Sequence, residues 1–357
     1  MLKKLLNMSQ PPINFKNHYF VIDFLKTIAV QIIILHHLSN YGPIPLKVHE
    51  LLPNFIDNIR DYARYAVQIF LVIGGYLSVR NLPQALKKQG LLKTIFNRYL
   101  RLIPTYVVAI IFTMVCAAIA RLVHYEDYIG KPETILQILS HLFFLQNLLG
   151  YDSISVGVWY VAIDWQLYIF ISCIFFFFKS YRKILCILAI IMAASLIYFS
   201  KNASFENYFF YFAGAYGLGI IAFLAEGSSH PETKNPARIL LFIFSILILS
   251  ETFFEIYFKN ILEIIIALIL IWKGKNLYRS ETFQWTKICI WFSQRAYCAF
   301  LIHFSLLLLG NTIFHYFHFE SPVIAMILMI VIWLLSWVFA HILYIFVEFP
   351  CRKIQLR

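Results

Sequence analysis

Four short stretches of this sequence set ionisable side chains into otherwise apolar runs. In VWYVAIDWQLYIF, Val158 to Phe170, a single carboxylate, Asp164, lies between Trp159 and Trp165. DFLKTIAVQIIILHH, Asp23 to His37, opens on Asp23 and Lys26 and closes on His36 and His37. RAYCAFLIH carries Arg295 and His303, and NRYLRLIPTY carries Arg98 and Arg101 three positions apart. Histidine and aspartate together supply acid–base chemistry, because an imidazole titrates near neutral pH and a carboxylate can orient it. Two guanidiniums one helical turn apart suit the bidentate binding of phosphate.

Each of these residues also has a structural reading. Asp23 and Lys26, one turn apart at a helix start, fit a local ion pair. His36 and His37 fit a structural histidine or an interfacial cap as well as a catalytic base. Arg98 and Arg101 fit snorkelling to lipid phosphates as well as an anionic-ligand site. Glu348 in VEFPCRK, with Arg352 and Lys353 behind it, fits an ion pair that holds an arginine in place. Ionisable groups at membrane depth are costly, so each marks either a function or a paired contact.

Composition sets the elements that must position them. Of the 357 residues, 61% are hydrophobic, 18% aromatic and 13% charged, and the mean hydropathy is +0.74. A soluble domain is nearer about half apolar and about a quarter charged. The expected fold class is therefore an all-α membrane protein of about ten transmembrane helices, since helices satisfy their own backbone in lipid. Charge-poor runs predict spans at about 20–39, 63–79, 100–121, 157–178, 184–200, 207–225, 238–255, 257–272, 288–309 and 322–347. The expected organisation is a cytoplasmic lead over 1–18 without a secretory signal, a transmembrane domain over 19–348 and a cytoplasmic basic tail over 349–357, with no appended soluble domain. Between the third and fourth spans, TILQILSHLFFLQNLLG, Thr134 to Gly150, is apolar and predicted helical, lying at the outer interface or covering a cavity. The six cysteines show no paired spacing and read as packing residues, with no metal site.

With both termini inside, the lysines and arginines of the inner segments outnumber those outside about three to one. The net charge of +12 is then mostly a topology signal, and no nucleic-acid partner is expected. The same ladder sets depth. His37 lies fourteen residues past Asp23, roughly 21 Å along a helix, toward the outer face. Asp164 and His303 also fall in the outer half, with Arg295 nearer the middle. The polar inventory is thus a basic cluster inside and an acid/base cluster outside.

Taken in order, these stretches resemble the acyltransferase-3 family, integral-membrane O-acyltransferases of bacterial surface glycans. The family's D-x-L-R-x-I-A element matches through Asp23, Lys26 (for Arg), Ile28 and Ala29, and its histidine falls on His37 rather than His36. VQIFLVIGGYL is similar to V-D-x-F-F-x-x-S-G-F-L, with Gln68 for Asp and Gly74 for Ser. R-x-x-R-I-x-P-x-Y matches through Arg98, Arg101, Pro104 and Tyr106. VWYVAIDWQLY resembles W-S-L-S-x-E-x-x-F-Y, keeping Trp159 and Tyr168 and placing Asp164 for Glu. AYCAFLIH resembles S-Y-x-x-Y-L-x-H, with Ala296 for Ser, Phe300 for Tyr, and Tyr297 and His303 kept. VEFPCRK matches E-x-P-x-R.

The resemblance implies acetyl-CoA as co-substrate, with no permanently bound cofactor. Its phosphates are expected at Arg98 and Arg101, with Lys26 and Asp23 on the donor side. Its pantetheine arm is expected to thread inward to His37, the general base on an acceptor hydroxyl, with Asp164 orienting that imidazole as in a Ser-His-Asp arrangement without the serine. His303 or Tyr297 is expected at the oxyanion, Trp159 and Tyr168 on the acceptor side, and Glu348, Arg352, His36 and Arg295 in structural support. The expected acceptor is a cell-surface polysaccharide or its lipid-linked precursor, lipopolysaccharide O-antigen first, at the bacterial inner membrane in contact with membrane lipid. A different surface polysaccharide or a succinyl donor stays open. A proton-coupled transporter or flippase is the competing reading, because it too needs intramembrane His and Asp. A non-catalytic scaffold leaves the buried charges unexplained.

Overall fold

The computed structural model describes residues 19–227, 231–252, 258–273 and 284–352. The expected lead and residues 353–357 of the expected tail lie outside the described residues. The described residues form helices α1 (Phe20–Asn40), α2 (Pro43–His49), α3 (Pro53–Tyr62), α4 (Ala66–Val123), α5 (Ile135–Leu142), α6 (Val158–Phe177), α7 (Tyr181–Ile197), α8 (Ala213–Glu226), α9 (Pro231–Thr252), α10 (Phe258–Lys273), α11 (Gln284–Tyr316) and α12 (Pro322–Leu343). A π-helical turn, Tyr344–Glu348, follows α12. Among the described residues there are no strands, and seven helical stretches are long and apolar enough to cross a membrane. The chain is an all-α membrane protein.

Two of the expected spans, 63–79 and 100–121, share α4. The stretch between them, expected as a loop, is helical too, because Leu, Lys, Gln, Ala and Arg dominate it and all favour helix. The chain reverses at Gly90, whose φ of 75° and ψ of 177° break the helix. Only a residue without Cβ adopts that conformation freely. α4 thus has two arms, α4a (66–89) and α4b (91–123). The run predicted at 207–225 is helical from Ala213, after a short 3₁₀ turn at Phe209–Tyr211.

Arm α4a and α8 press backbone to backbone. A Cβ at Gly75 would fall 1.9 Å from Tyr216 O, and one at Gly219 would fall 1.9 Å from Val72 O. In lipid there is little hydrophobic drive between helices, so such close approach through small residues is what holds them. The Tyr76 hydroxyl adds a 2.7 Å bond to Glu226 Oε2.

The apolar segment of the long loop turns into the bundle. Tyr99 OH on α4b donates to Leu142 O (2.9 Å), and Gln166 Nε2 on α6 donates to Phe144 O (3.0 Å). Phe144 is fully buried and takes φ 55°, uncommon for a residue with a side chain. Edge-to-face contact with Tyr106, 4.8 Å between centroids, helps hold it there.

Gly219→Ala forces α8 away from Val72. Overpacking of this kind costs about 1–3 kcal/mol, so the thermal transition of the detergent-solubilised protein should fall clearly below that of the parent. An unchanged transition would show that the helices do not touch there.

Candidate functional site

Four helical faces enclose a cavity of about 570 Å³. Arm α4a contributes Phe70, Ile73, Gly74, Leu77 and Asn81, and arm α4b contributes Thr94, Asn97, Arg98 and Arg101. Helix α6 contributes Tyr160, Val161, Asp164 and Tyr168, and α11 contributes Ser293, Ala296, Tyr297 and Phe300. Spacings of three, four and seven put each set on one helical face. Lys26 of α1 and Glu348 and Arg352 after α12 complete the wall.

The cavity carries an excess of positive charge. Five cations line it, Lys26, Arg80, Arg98, Arg101 and Arg352, against the carboxylates Asp164 and Glu348. Both carboxylates are engaged. Arg98 Nη2 donates to Asp164 Oδ2 at 2.6 Å, and the guanidinium lies 4.5 Å from the Tyr168 ring centroid. Arg352 donates to Glu348 Oε1 through Nη2 (2.5 Å) and Nε (3.1 Å), and Cys298 Sγ donates to Glu348 Oε2 (3.0 Å). Glu348 therefore does pair with an arginine. Lys26 and Arg101 have no hydrogen-bond or ion-pair partner among the described residues. The expected pair of Asp23 with Lys26 does not form; Asp23 instead accepts from Ser293 Oγ at 2.5 Å. The arrangement suits a polyanion held at the basic end, with Lys26 and Arg101 as its uncommitted partners.

The two histidines expected at one depth meet. His37 Nδ1 lies 2.7 Å from His303 Nε2, and the rings are nearly parallel, 8° apart with centroids 4.9 Å apart, so they meet edge to edge. His303 is fully buried, and its Nδ1 lies 3.0 Å from Ala299 O. A carbonyl only accepts, so the proton of His303 is assigned to Nδ1. In a neutral pair His303 Nε2 must then accept from His37 Nδ1–H. That leaves the Nε2 lone pair of His37 unused, which is the state a general base needs. His36 turns away, with Nδ1 3.3 Å from Ile59 O and 3.1 Å from Asn40 Nδ2.

Several placements differ from expectation. Asp164 does not share the outer depth expected for it and does not orient His37; it lies at the level of Arg98, which holds its carboxylate at 2.6 Å, and the orienting partner of His37 is His303. Gly74 shows how tightly Asp164 is fixed, since a Cβ there would come 3.1 Å from its Oδ1 and 3.2 Å from the Tyr216 ring. His303 is committed to His37 and Ala299, not aimed at an oxyanion. Tyr297 OH donates to Leu102 O (3.1 Å), so its proton is spent on the backbone. Trp159 packs on Phe212, 5.5 Å between centroids, and does not line the cavity. Tyr168 lines it, beside Arg98 and not on a separate acceptor side. Arg295 is buried outside it, donating to His341 Nδ1 (2.8 Å) and Trp291 O (2.9 Å) between the Trp291 and Tyr344 rings.

The sequence reading missed Phe70, Arg80, Tyr160 and Phe300. The signal was present. Phe70, Ile73, Gly74, Leu77 and Asn81 form a helical stripe ending in a polar residue, and the same face of α11 runs from Ser293 through Phe300 to His303.

A model of the acyltransferase-3 family, described as an acyltransferase domain, matches residues 19–341. No curated protein and no solved structure matches the chain.

Asp164→Asn leaves Arg98 without its counter-charge. Breaking a buried pair costs about 3–5 kcal/mol, and the 27% exposure of the Arg98 side chain to the cavity moves the expected loss to the lower end. The double variant Arg98→Met/Asp164→Leu should unfold at a higher temperature than Asp164→Asn alone. Equal transitions for all three proteins would mean the pair contributes nothing to stability.

Proposed function

This chain belongs to the acyltransferase-3 family, and on that premise we propose that it transfers an acetyl group from acetyl-CoA, across a bacterial inner membrane, to a hydroxyl of a surface glycan such as lipopolysaccharide O-antigen. One observation carries the reading. The polycationic cavity reaches from Lys26 and Arg101 to Phe300, whose ring lies 6.3 Å from that of His303. In this reading the basic end is cytoplasmic and takes the CoA phosphates. Lys26 and Arg101 bind them, with Arg80 and Arg352 alongside. Arg98 is fixed by Asp164 and shapes the wall between phosphates and thioester. Lys26 and His37 are eleven residues apart on α1, about 16 Å, a span the pantetheine arm bridges.

The chemistry follows from the histidine pair. His37 Nε2 takes the proton of the acceptor hydroxyl as its oxygen attacks the thioester carbonyl. The new C–O bond forms, the C–S bond breaks, and the departing CoA thiolate takes the proton from the imidazolium. His303 keeps His37 in the productive tautomer and shares the transient positive charge. Asp164 has no proton-transfer role in this scheme.

Labelled acetyl-CoA, supplied to membrane vesicles containing the protein and host surface glycan, should yield acetylated glycan detectable by NMR. His37→Ala should lower the rate by about 10²–10⁴, while His36→Ala stays near the parent. His37→Ala with full activity and a parental thermal transition would refute the assignment. Arg101→Ala and Lys26→Ala should each weaken CoA binding, and unchanged affinity in both would remove the phosphate site.

A further inference from the structure

Three aromatic rings, each from a different helix, come together in the wall of the cavity. Phe70 of α4a, Tyr160 of α6 and Phe300 of α11 all line it. Their centroids are mutually close: Phe70–Tyr160 6.0 Å, Phe70–Phe300 6.2 Å and Tyr160–Phe300 5.5 Å, the last pair edge to face at 74°. Behind Phe300, one turn along α11, is His303. Phe300 thus brings the end of the charged chamber next to the imidazole pair.

Phe300 has little room to retreat. It is 5% exposed. A Cβ at Gly157, which precedes α6, would fall 2.7 Å from Phe300 O and 3.1 Å from its ring. The backbone before α6 is therefore pressed onto Phe300 from one side, and Phe70 and Tyr160 flank its ring. Interiors packed this closely do not yield a methylene's worth of space without cost.

A donor anchored by its phosphates at Lys26 and Arg101 brings only its far end, the thioester and the acyl group, to these rings. A short acyl group fits against them. Each further methylene has to occupy space the rings already fill, and a terminal carboxylate, which needs several donors, would find among the rings only the Tyr160 hydroxyl. We propose that the Phe70–Tyr160–Phe300 cluster sets the length and polarity of the transferred acyl group, holding the enzyme to acetyl and propionyl donors, with Phe300 as the principal selecting residue. This rests on the acyl-CoA reading of the cavity.

The test is competitive displacement of labelled acetyl-CoA from the protein in nanodiscs by CoA, acetyl-CoA, hexanoyl-CoA and succinyl-CoA. In the parent, hexanoyl- and succinyl-CoA should bind at least about tenfold more weakly than acetyl-CoA, the usual size of discrimination by an apolar pocket. Phe300→Ala should close most of the hexanoyl gap and leave CoA affinity unchanged. Phe70→Leu, a milder change that guards against misfolding, should narrow it in part. A merely structural role would alter all four ligands together and keep their ratios. Equal binding of hexanoyl- and acetyl-CoA by the parent, or a gap unchanged in both variants, overturns the selector while CoA binding keeps the donor reading intact. Failure of CoA and acetyl-CoA to bind the parent overturns the donor reading, and the selector with it.

Discussion

A charge held in hydrocarbon must be paired, solvated or absent, and this constraint organises the molecule. The ionisable residues of its apolar helices meet it in different ways. Asp164 and Glu348 each hold an arginine, at 2.6 Å and 2.5 Å. Arg295 has no carboxylate against it among the described residues and is held by a histidine nitrogen, a backbone carbonyl and two aromatic faces. Among the described residues Lys26 and Arg101 have none of these partners, and both line the cavity. The cavity exists on the side where such residues project, because only there does water or an anionic ligand reach them.

The same constraint separates the two kinds of chemistry along one path. Charge collects at the end lined by Arg80, Arg101 and Arg352, and the reacting end is left to neutral groups. A histidine paired with a carboxylate would bring a full negative charge to the deep end. A histidine paired with a second histidine orients the base without one. The tautomer follows from a single backbone carbonyl, Ala299 O, which fixes the proton on His303 Nδ1 and through it the lone pair on His37 Nε2. The aromatic cluster where the two regions meet adds no charge, and its one polar group is the Tyr160 hydroxyl.

Rigidity at this junction comes from glycines as much as from rings. Gly74 lets Asp164 and Tyr216 close against α4a, Gly75 and Gly219 let α4a and α8 touch backbones, and Gly157 lets the start of α6 rest on Phe300. Three of the four cavity-forming faces are thereby positioned by the absence of a side chain. Where the family pattern resembled here has serine, Gly74 gives up a hydroxyl and leaves the Arg98–Asp164 pair to define that wall.

The sequence alone determined that the chain is helical and membrane-embedded, where the apolar runs lie, and that His37 and His303 share a depth. Those properties depend on composition and on distance along one helix, which a period of 3.6 residues and a rise of 1.5 Å fix without reference to neighbours. It also placed Arg98, Arg101 and Lys26 at one end and anticipated an arginine partner for Glu348. Tertiary structure alone decided which groups at one depth meet. The sequence also put Asp164 at the depth of the histidines, and packing corrects this: Gly157 at the start of α6 rests against Phe300, so Asp164, seven residues on, lies about 10 Å further in, at the level of Arg98, and the histidines meet each other. The helical stretch around Gly90, the inward-turned loop at Phe144 and the ring cluster were likewise settled by contacts between helices. Rotation about a helix axis and lateral order in the bilayer depend on which surfaces fit together, and hydropathy is nearly blind to both.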